Sequence, residues 1–296
     1  MTTELFIQYL VAGVTYGSIY AIVAIGFNII YNTTGIINFA QGEFVMLGGM
    51  LSITFLHYLP LPLAITLAVL VTMGIGAAIE MLFIRWLKDP GVLRMIIITI
   101  GLSILIREAA LHVWGSNVRA LPYFFGNEIS TFAIFGARVS PQVLWVIGTC
   151  GLMVVALNIF FQATSIGREM RACAANRVAA LLCGIDTRNM VTLSFVLSAG
   201  IGALAGAVMS PITYTQYDNG TGLAIKGFTV AILGGLGNSL GAVAAGLLLG
   251  IIEAFSVSVV PLAFQDAIAI SILLIILFVR PYGLFGSSAM AGLKEF

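Results

Sequence analysis

Two long stretches without a single charged residue constrain this chain more than any other feature. The first runs from Leu5 to Gly42 and the second from Leu51 to Ile79. A helix of about 20 apolar residues crosses the hydrocarbon core of a bilayer, and both stretches exceed that length. Only 8% of the 296 residues are charged, whereas soluble domains carry about 25%. The sequence therefore predicts an integral membrane protein.

Nine apolar segments predict an all-α polytopic fold, because a backbone in lipid must satisfy its own hydrogen bonds. The segment 224–237 is too short to cross comfortably and could be a half-helix or a re-entrant element, so we expect eight or nine transmembrane helices in one domain, 1–296. The N-terminus lacks a basic region, and its long apolar run is interpreted as a retained first helix. The predicted spans are 5–30, 38–59, 61–84, 93–114, 142–161, 190–209, 224–237, 240–260 and 264–280.

Basic residues form three clusters that we place on the cytoplasmic side of the membrane. Cytoplasmic loops carry an excess of Lys and Arg. Residues 115–141 then lie outside, and so does the N-terminus if every predicted span crosses. The clusters are Arg85, Lys88 and Arg94; Arg168, Arg171, Arg177 and Arg188; and Arg280 and Lys294.

Glycines recur at the four-residue spacing that lets helices approach closely in lipid. We interpret these pairs as packing within the chain rather than as a dimer motif. The pairs are Gly13/Gly17, Gly202/Gly206 and Gly246/Gly250.

Two segments of the chain, 42–49 and 226–235, are weakly similar, and each is preceded by a polar stretch. The similarity indicates either an inverted repeat or a chance match of Gly-rich sequence. Repeat interfaces in transporters commonly hold the substrate path.

No pattern in the sequence indicates an enzyme. A Walker A motif is absent, since no Gly is followed directly by Lys. His57 and His112 lack metal-ligand spacing, and no Ser or Cys lies in a nucleophile motif. The three cysteines imply no disulfide framework. We expect no catalytic residue, no metal and no cofactor, so any ATP-driven step would require another subunit.

The loop at 166–188 carries the strongest local signal. Helical periodicity places Met170, Val178 and Leu182 broadly on one face, and Gly184 is a suitable helix stop. An amphipathic helix of this kind could lie on lipid headgroups. It could equally dock into a groove of a soluble partner.

This loop also resembles a known family. The stretch Val178-Ala-Ala-Leu-Leu-Cys-Gly184 resembles the Glu-Ala-Ala-x-x-x-Gly core of ABC importer permeases, with Val178 in place of the Glu. Gly167-Arg168, Arg171-Ala172 and Gly184-Ile185 are similar to the branched-chain amino acid branch of that family. Further similar segments are 13–21, 38–44, 232–238 and 280–286. The resemblance extends over essentially the whole chain.

The resemblance implies a permease of the bacterial inner membrane and names its partners. These are a second related permease, two ATP-binding subunits that bind the ATP, and a periplasmic binding protein. No nucleic acid is expected as a partner. It further implies that the loop forms a coupling helix seated in the ATPase. Branched-chain amino acids are the implied solute, with urea, short amides or other amino acids as alternatives. The implied coupling residues are Gly167, Arg168, Arg171, Ala179, Ala180 and Gly184.

Four polar residues in the first two spans are candidates for the substrate pathway, because polar groups in a bilayer are costly and often functional. They are Asn28, Asn38, Gln41 and Glu43. The alternative is structural: Glu43 suits the dipole at a helix N-terminus, and the amides cap backbone groups.

Other charged residues leave a different class of transporter open. Glu253 stands alone in its span, and Arg107 and Glu108 are adjacent, so they are not expected to face each other on a helix. A secondary transporter or channel without an ATPase would use intramembrane carboxylates such as Glu43 and Glu253. The loop at 166–188 favours the ABC importer instead. The polar segment 213–220 could contact a binding protein, gate the outer mouth or be an ordinary solvated loop.

Overall fold

The computed structural model describes residues 3–87, 91–126, 130–134, 136–258, 260–261, 264–280 and 283–285. Lys88, Lys294 and parts of the segment 280–286, which entered the sequence predictions, lie outside the described residues.

Helices make up almost all of the described structure. A five-residue π-helix, Glu80–Ile84, continues α3, and the strands β1 (Phe132–Ile134) and β2 (Ala137–Val139) form an antiparallel hairpin. The α-helices are α1 (Thr3–Thr34), α2 (Gln41–Leu56), α3 (Leu61–Ile79), α4 (Val92–Trp114), α5 (Pro141–Ala163), α6 (Ser165–Ala175), α7 (Arg177–Leu182), α8 (Thr187–Thr213), α9 (Asn219–Leu233), α10 (Ser239–Ser256) and α11 (Gln265–Val279).

Six helical segments of the described chain are long and apolar enough to cross a membrane: α1, α3 with its π-helical extension, α4, α5, α8 and α10. The helices α2 and α11 are apolar but shorter. The structure thus confirms a helical, multi-pass membrane protein.

Apart from the starts of α2 and α9, the helix ends lie at two opposite ends of the bundle. At the hairpin end, Trp114 Nε1 donates to Thr54 Oγ1 over 2.7 Å, joining the ends of α4 and α2. At the other end, called the α6–α7 end, Thr192 Oγ1 donates to Glu80 Oε2 over 2.6 Å. The chain alternates between these two ends as a polytopic protein must.

Close glycine contacts join α1 to α10 and confirm that the glycine pairs pack within the chain. A Cβ on Gly13 would lie 2.7 Å from Ile251 Cα, and one on Gly17 would lie 2.6 Å from Gly246 O. A Cβ on Gly202 would likewise lie 2.9 Å from Phe44 Cβ of α2. The helix axes approach this closely only because no side chain lies between them.

The helices α2 and α9 begin inside the bundle rather than at its ends. The side chain of Gln41, at the start of α2, lies against Gly26, about two turns before the end of α1. Gly42 and Gly220, in the first turns of α2 and α9, are in contact. The segment predicted at 224–237 therefore begins earlier, at Asn219, and is a half-helix.

The loop at 166–188 contains two helices, so the prediction of one continuous amphipathic face is wrong. The backbone of Asn176 is extended, with φ −157° and ψ 108°, and its side chain caps α7 by accepting from Val178 N and Ala179 N. The break turns α7, so Met170 is buried while Val178 and Leu182 are 67% and 85% exposed. Gly184 has a φ of 82°, which fits the predicted helix stop.

Candidate functional site

Glu43 lies where the two half-helices meet in the middle of the bundle. It is fully buried. Its Oε1 accepts from Ser103 Oγ at 2.9 Å and from Thr221 Oγ1 at 3.4 Å. Its Oε2 has no hydrogen-bond partner among the described residues and lies against Gly220, where a Cβ would be 2.5 Å away. The carboxylate thus lies in the first turn of α2 and against the first turn of α9.

This position has a simple electrostatic meaning. The N-terminal turn of a helix carries a partial positive charge from its unpaired N–H groups. Glu43 is fully buried at two such turns. Arg107 Nη1 lies 3.5 Å from Thr221 Oγ1, on the far side of that hydroxyl group. The long side chains of Arg107 and Glu108 also lean together, with 4.0 Å between Nε and Oε1, although the residues are adjacent.

Gln41 connects three helices. Its Nε2 donates to Ser198 O of α8 over 3.2 Å, and Ser198 Oγ is within hydrogen-bond distance of Gln41 Oε1 and of Gly26 O in α1. Asn38 Oδ1 accepts from Ala40 N over 3.1 Å, and its Nδ2 is buried without a partner among the described residues. Both amides therefore order the turn that starts α2.

Asn28 lies on a different side of α1 and holds the turn between α9 and α10. Its Oδ1 accepts from Gly237 N at 3.0 Å, and its Nδ2 donates to Asn238 O at 3.3 Å. Asn32 Nδ2, one turn further, donates to Gly237 O over 2.9 Å. The structure therefore does not bring Asn28 into contact with Glu43, and the four predicted pathway residues form two separate groups.

Two segments that resemble the same family also meet at this turn. Leu284 N donates to Leu233 O over 2.7 Å, and Asn238 Nδ2 donates to Phe285 O over 3.3 Å. The described part of 280–286 thus packs on the end of α9 and the start of α10. Residues 232–238 therefore contact both α1 and the described residues 283–285.

An ion cluster around the buried Glu253 was missed by the sequence analysis. Lys226 Nζ of α9 lies 2.5 Å from Glu253 Oε1 of α10 and 3.2 Å from Asp266 Oδ1 of α11. It also donates to the hydroxyl of Tyr20 in α1 over 3.3 Å. Glu253, which stands alone in its own span, is thus bonded to a residue of a neighbouring helix. The sequence does contain a signal for this contact, because Lys226 and Glu253 carry opposite charges in two apolar segments. Charged residues within a membrane usually pair with one another across a bundle.

A cavity of about 370 Å³ adjoins this cluster, between α1, α8, α9 and α11. Its lining includes the charged residues Lys226, Asp266 and Asp218 and the apolar residues Ile19 and Leu223. The volume falls within the range of about 300–1,000 Å³ typical of small-molecule sites.

The coupling residues predicted in the loop divide between packing and exposed positions. Gly167 is buried against the end of α5, where a Cβ would lie 2.7 Å from Phe161 Cα, and Ala180 is also buried. The exposed residues are Arg168, Arg171, Ala179 and Gly184. The helix α6 contacts α5, α1 and α8, whereas α7 contacts mainly α6 and α8.

The described residues contain no group of three or more His, Cys, Asp or Glu side chains that could hold a metal ion. Glu43 and the Lys226 cluster are held by hydrogen bonds and ion pairs within the chain.

Comparison with known proteins identifies the family of this chain. Residues 9–277 match the family model for the branched-chain amino acid transport system permease component. The permease BraD of Pseudomonas aeruginosa, from a high-affinity branched-chain amino acid transport system, is 34% identical over 95% of this chain and 96% of its own. The corresponding permease LivH of Escherichia coli K12 is 32% identical over the same shares.

A more distant relative and one solved structure extend the comparison. The probable branched-chain amino acid permease LivH of Methanocaldococcus jannaschii is 25% identical over 92% of this chain and 90% of its own. The solved structure PsaBC from Streptococcus pneumoniae in complex with Fab has a TM-score of 0.47 and 14% identity, covering 94% of this chain and 91% of that one. That similarity is too low to define a shared fold. By its family match, this chain belongs to the permease components of branched-chain amino acid transport systems.

Proposed function

We propose that this chain is the transmembrane permease subunit of an ATP-binding-cassette importer that carries branched-chain amino acids across the bacterial inner membrane. It would work with a second related permease, two ATP-binding subunits that bind and hydrolyse ATP, and a periplasmic binding protein. Family membership supports the transport role. The observation that carries the partnership is α7, which presents Val178, Leu181 and Leu182 outward at 67%, 54% and 85% exposure.

The arrangement of helices supports nine membrane-crossing segments. In two of these segments the helix, α2 or α9, is only half-length. The α6–α7 end carries most of the arginines, including Arg85, Arg168 and Arg188, and is placed in the cytoplasm by the excess of basic residues there. The N-terminus, the hairpin and the segment 214–218 then face the periplasm. All eleven described helices belong to one permease domain.

The half-helices also support the interpretation as an inverted repeat. In each half, a long helix (α1 or α8) is followed by a polar turn and a half-helix (α2 or α9). The two half-helices start side by side and run in opposite directions. Aligning their first turns pairs Gly42 with Gly220, rather than with Lys226 as the sequence similarity did.

The packing of α6 explains how α7 would transmit movement. Met170 and Cys173 of α6 are buried, and α6 contacts α5, α1 and α8. A push on α7 from closing ATP-binding subunits would therefore reach three spanning helices through α6. The exposed Arg168 and Arg171 would border the docked surface.

For the four polar residues of the first two spans, we propose the structural role. Gln41 bonds to Ser198 of α8, and Asn28 bonds to the turn between α9 and α10. The negative charge of Glu43 offsets the partial positive charges at the N-terminal ends of α2 and α9. Asn38 orders the turn before α2. A direct place for these residues in the substrate pathway stays a prediction, and the paired state of Glu253 weakens the case for a carboxylate-coupled secondary transporter.

Co-purification with the ATP-binding subunits tests the proposal. The double variant Leu181→Ser, Leu182→Ser changes exposed side chains, so we expect a stable permease that retains less than about a tenth of the bound ATPase. Uptake of labelled leucine should fall in parallel. The control is Val118→Ser, which is 59% exposed at the hairpin end, away from α7, and should leave ATPase retention unchanged.

Three outcomes would contradict the proposal. Unchanged ATPase retention and uptake in the double variant would remove α7 as the docking helix. Leucine uptake that needs no ATP and follows an ion gradient would support the secondary transporter instead. Import of urea or short amides in place of leucine would retain the importer and change its solute.

A further inference from the structure

The ion cluster beside the cavity is asymmetric. Both carboxylates contact Lys226, but the Glu253 side chain is 5% exposed whereas that of Asp266 is 74% exposed. Opening the bridge to Glu253 would leave a buried charge unpaired, which is strongly unfavourable. Opening the bridge to Asp266 costs less, because the exposed carboxylate is not left buried and Lys226 keeps its bridge to Glu253. One bridge is therefore fixed, and the other can exchange.

The cavity lies next to the exchangeable bridge. Lys226 and Asp266 both line it, so an ammonium group and a carboxylate group face the same space. The lining also includes the apolar side chains of Ile19, Met209 and Leu223. An α-amino acid with an aliphatic side chain carries the same three features in complementary form: a carboxylate, an ammonium group and a hydrocarbon body.

Charge balance restricts the occupant further. The cluster and the nearby Asp218 already contain one cation and three carboxylates, so an added anion would be repelled. An added cation would pair with Asp266 but would supply no acceptor to replace Asp266 at Lys226, and an added neutral solute would replace neither half of the Lys226–Asp266 bridge. A zwitterion adds no net charge and supplies both halves of the bridge that it opens. The first turn of α9, which also lines the cavity at Asn219, adds a partial positive charge for a carboxylate.

We propose that this cavity is a binding site within the membrane domain for a zwitterionic aliphatic amino acid. The carboxylate of the solute accepts from Lys226, its ammonium group donates to Asp266, and its side chain contacts Ile19, Met209 and Leu223. The Lys226–Glu253 pair stays closed. The inference deepens the proposed function and rests on it, since it gives the permease its own selectivity in addition to that of a binding protein.

Gly222 offers a way to fill the cavity without disturbing the fold. It lines the cavity, and a Cβ built on it would meet no atom within 4 Å in the described part of the chain. Gly148 of α5 is equally unobstructed but does not line the cavity, so Gly148→Leu is the matched control for Gly222→Leu. In proteoliposomes containing the full importer, we expect Gly222→Leu to reduce leucine uptake at least tenfold and Gly148→Leu to leave it within twofold.

A direct binding measurement separates the site from the transport cycle. The variant Gly222→Cys in the full importer, without binding protein, is treated with a water-soluble maleimide, and modification of residue 222 is followed by peptide mass spectrometry. Leucine at millimolar concentration should slow modification at least threefold. The analogues 4-methylpentanoate, which lacks the ammonium group, and isoamylamine, which lacks the carboxylate, should not. Asp266→Asn should raise the protecting leucine concentration about tenfold, the effect of losing one charge-assisted hydrogen bond.

The results distinguish the two proposals. If the wild type imports leucine but leucine gives no protection, or an analogue protects equally well, the cavity is not the amino acid site and the importer assignment stands. Normal uptake by Gly222→Leu would also overturn the cavity. If the wild-type importer carries no leucine at all, the proposed function fails first.

Discussion

Replacing Gly17 by alanine tests the packing between α1 and α10. A Cβ at this position would lie 2.6 Å from Gly246 O and 2.8 Å from Leu247 Cα. Ordinary van der Waals contact begins at about 3.4 Å. Both neighbours are backbone atoms, so no side-chain rotation relieves the contact, and the two helices must separate by most of an ångström.

The magnitude follows from two opposing effects. Adding atoms to a well-packed interior costs about 1–3 kcal/mol, while alanine gains about 0.5–1 kcal/mol over glycine in a helix. A net loss of roughly 1–2 kcal/mol of unfolding free energy is expected. At about 2–4 °C per kcal/mol, the unfolding midpoint should fall by several degrees.

Gly101→Ala in α4 is the control, because a Cβ there meets no atom within 4 Å among the described residues. It makes the same chemical change in another membrane-spanning helix and should leave the midpoint equal or slightly higher. Midpoints are measured in detergent from the folded fraction that remains on size-exclusion chromatography after heating. Equal midpoints for the two variants would refute the close α1–α10 packing.

Further perturbations target polar contacts and cysteines. Asn28→Ala should lower the free energy of unfolding by about 1–3 kcal/mol, because Gly237 N–H loses its acceptor. An unchanged thermal midpoint would contradict a role for Asn28 in holding the turn between α9 and α10. Lys226→Met should lower the free energy of unfolding by about 3–5 kcal/mol, because it leaves Glu253 unpaired. Adding Glu253→Gln should restore most of that stability, and a double variant no more stable than Lys226→Met would contradict the pairing. Maleimide should label the exposed Cys183 far faster than Cys173, because burial raises the pKa of the Cys173 thiol and leaves less thiolate at neutral pH. Assembly with the ATP-binding subunits should protect Cys183, and equal rates before and after assembly would contradict docking at α7.

Features that depend on nearby residues could be predicted from the sequence. The uncharged runs indicated spanning helices because hydrophobic length and helical hydrogen bonding are local properties of a segment. The spacing of Gly13 and Gly17 likewise placed both on one helix face. The family could also be identified, since its motifs are short and contiguous.

The partners of polar residues could not be predicted in the same way. Lys226 and Tyr20 are 206 residues apart, and nothing in the spacing of either segment indicates that α1, α9, α10 and α11 converge there. For the same reason Glu253 looked isolated. Asn28 and Glu43, both candidates for the substrate pathway in the sequence, contact different segments of the chain.

The loop at 166–188 shows the same division within a short segment. Its amphipathic character and its stop at Gly184 follow from residue order alone. Whether Met170 and Leu182 share a face depends on one backbone break at Asn176, which is stable because the Asn side chain caps the next helix. The sequence alone determined that this chain is a helical membrane protein of a known permease family. Only the tertiary structure decided which helices start in the middle of the bundle and which charges pair, because those contacts form between segments far apart in the chain.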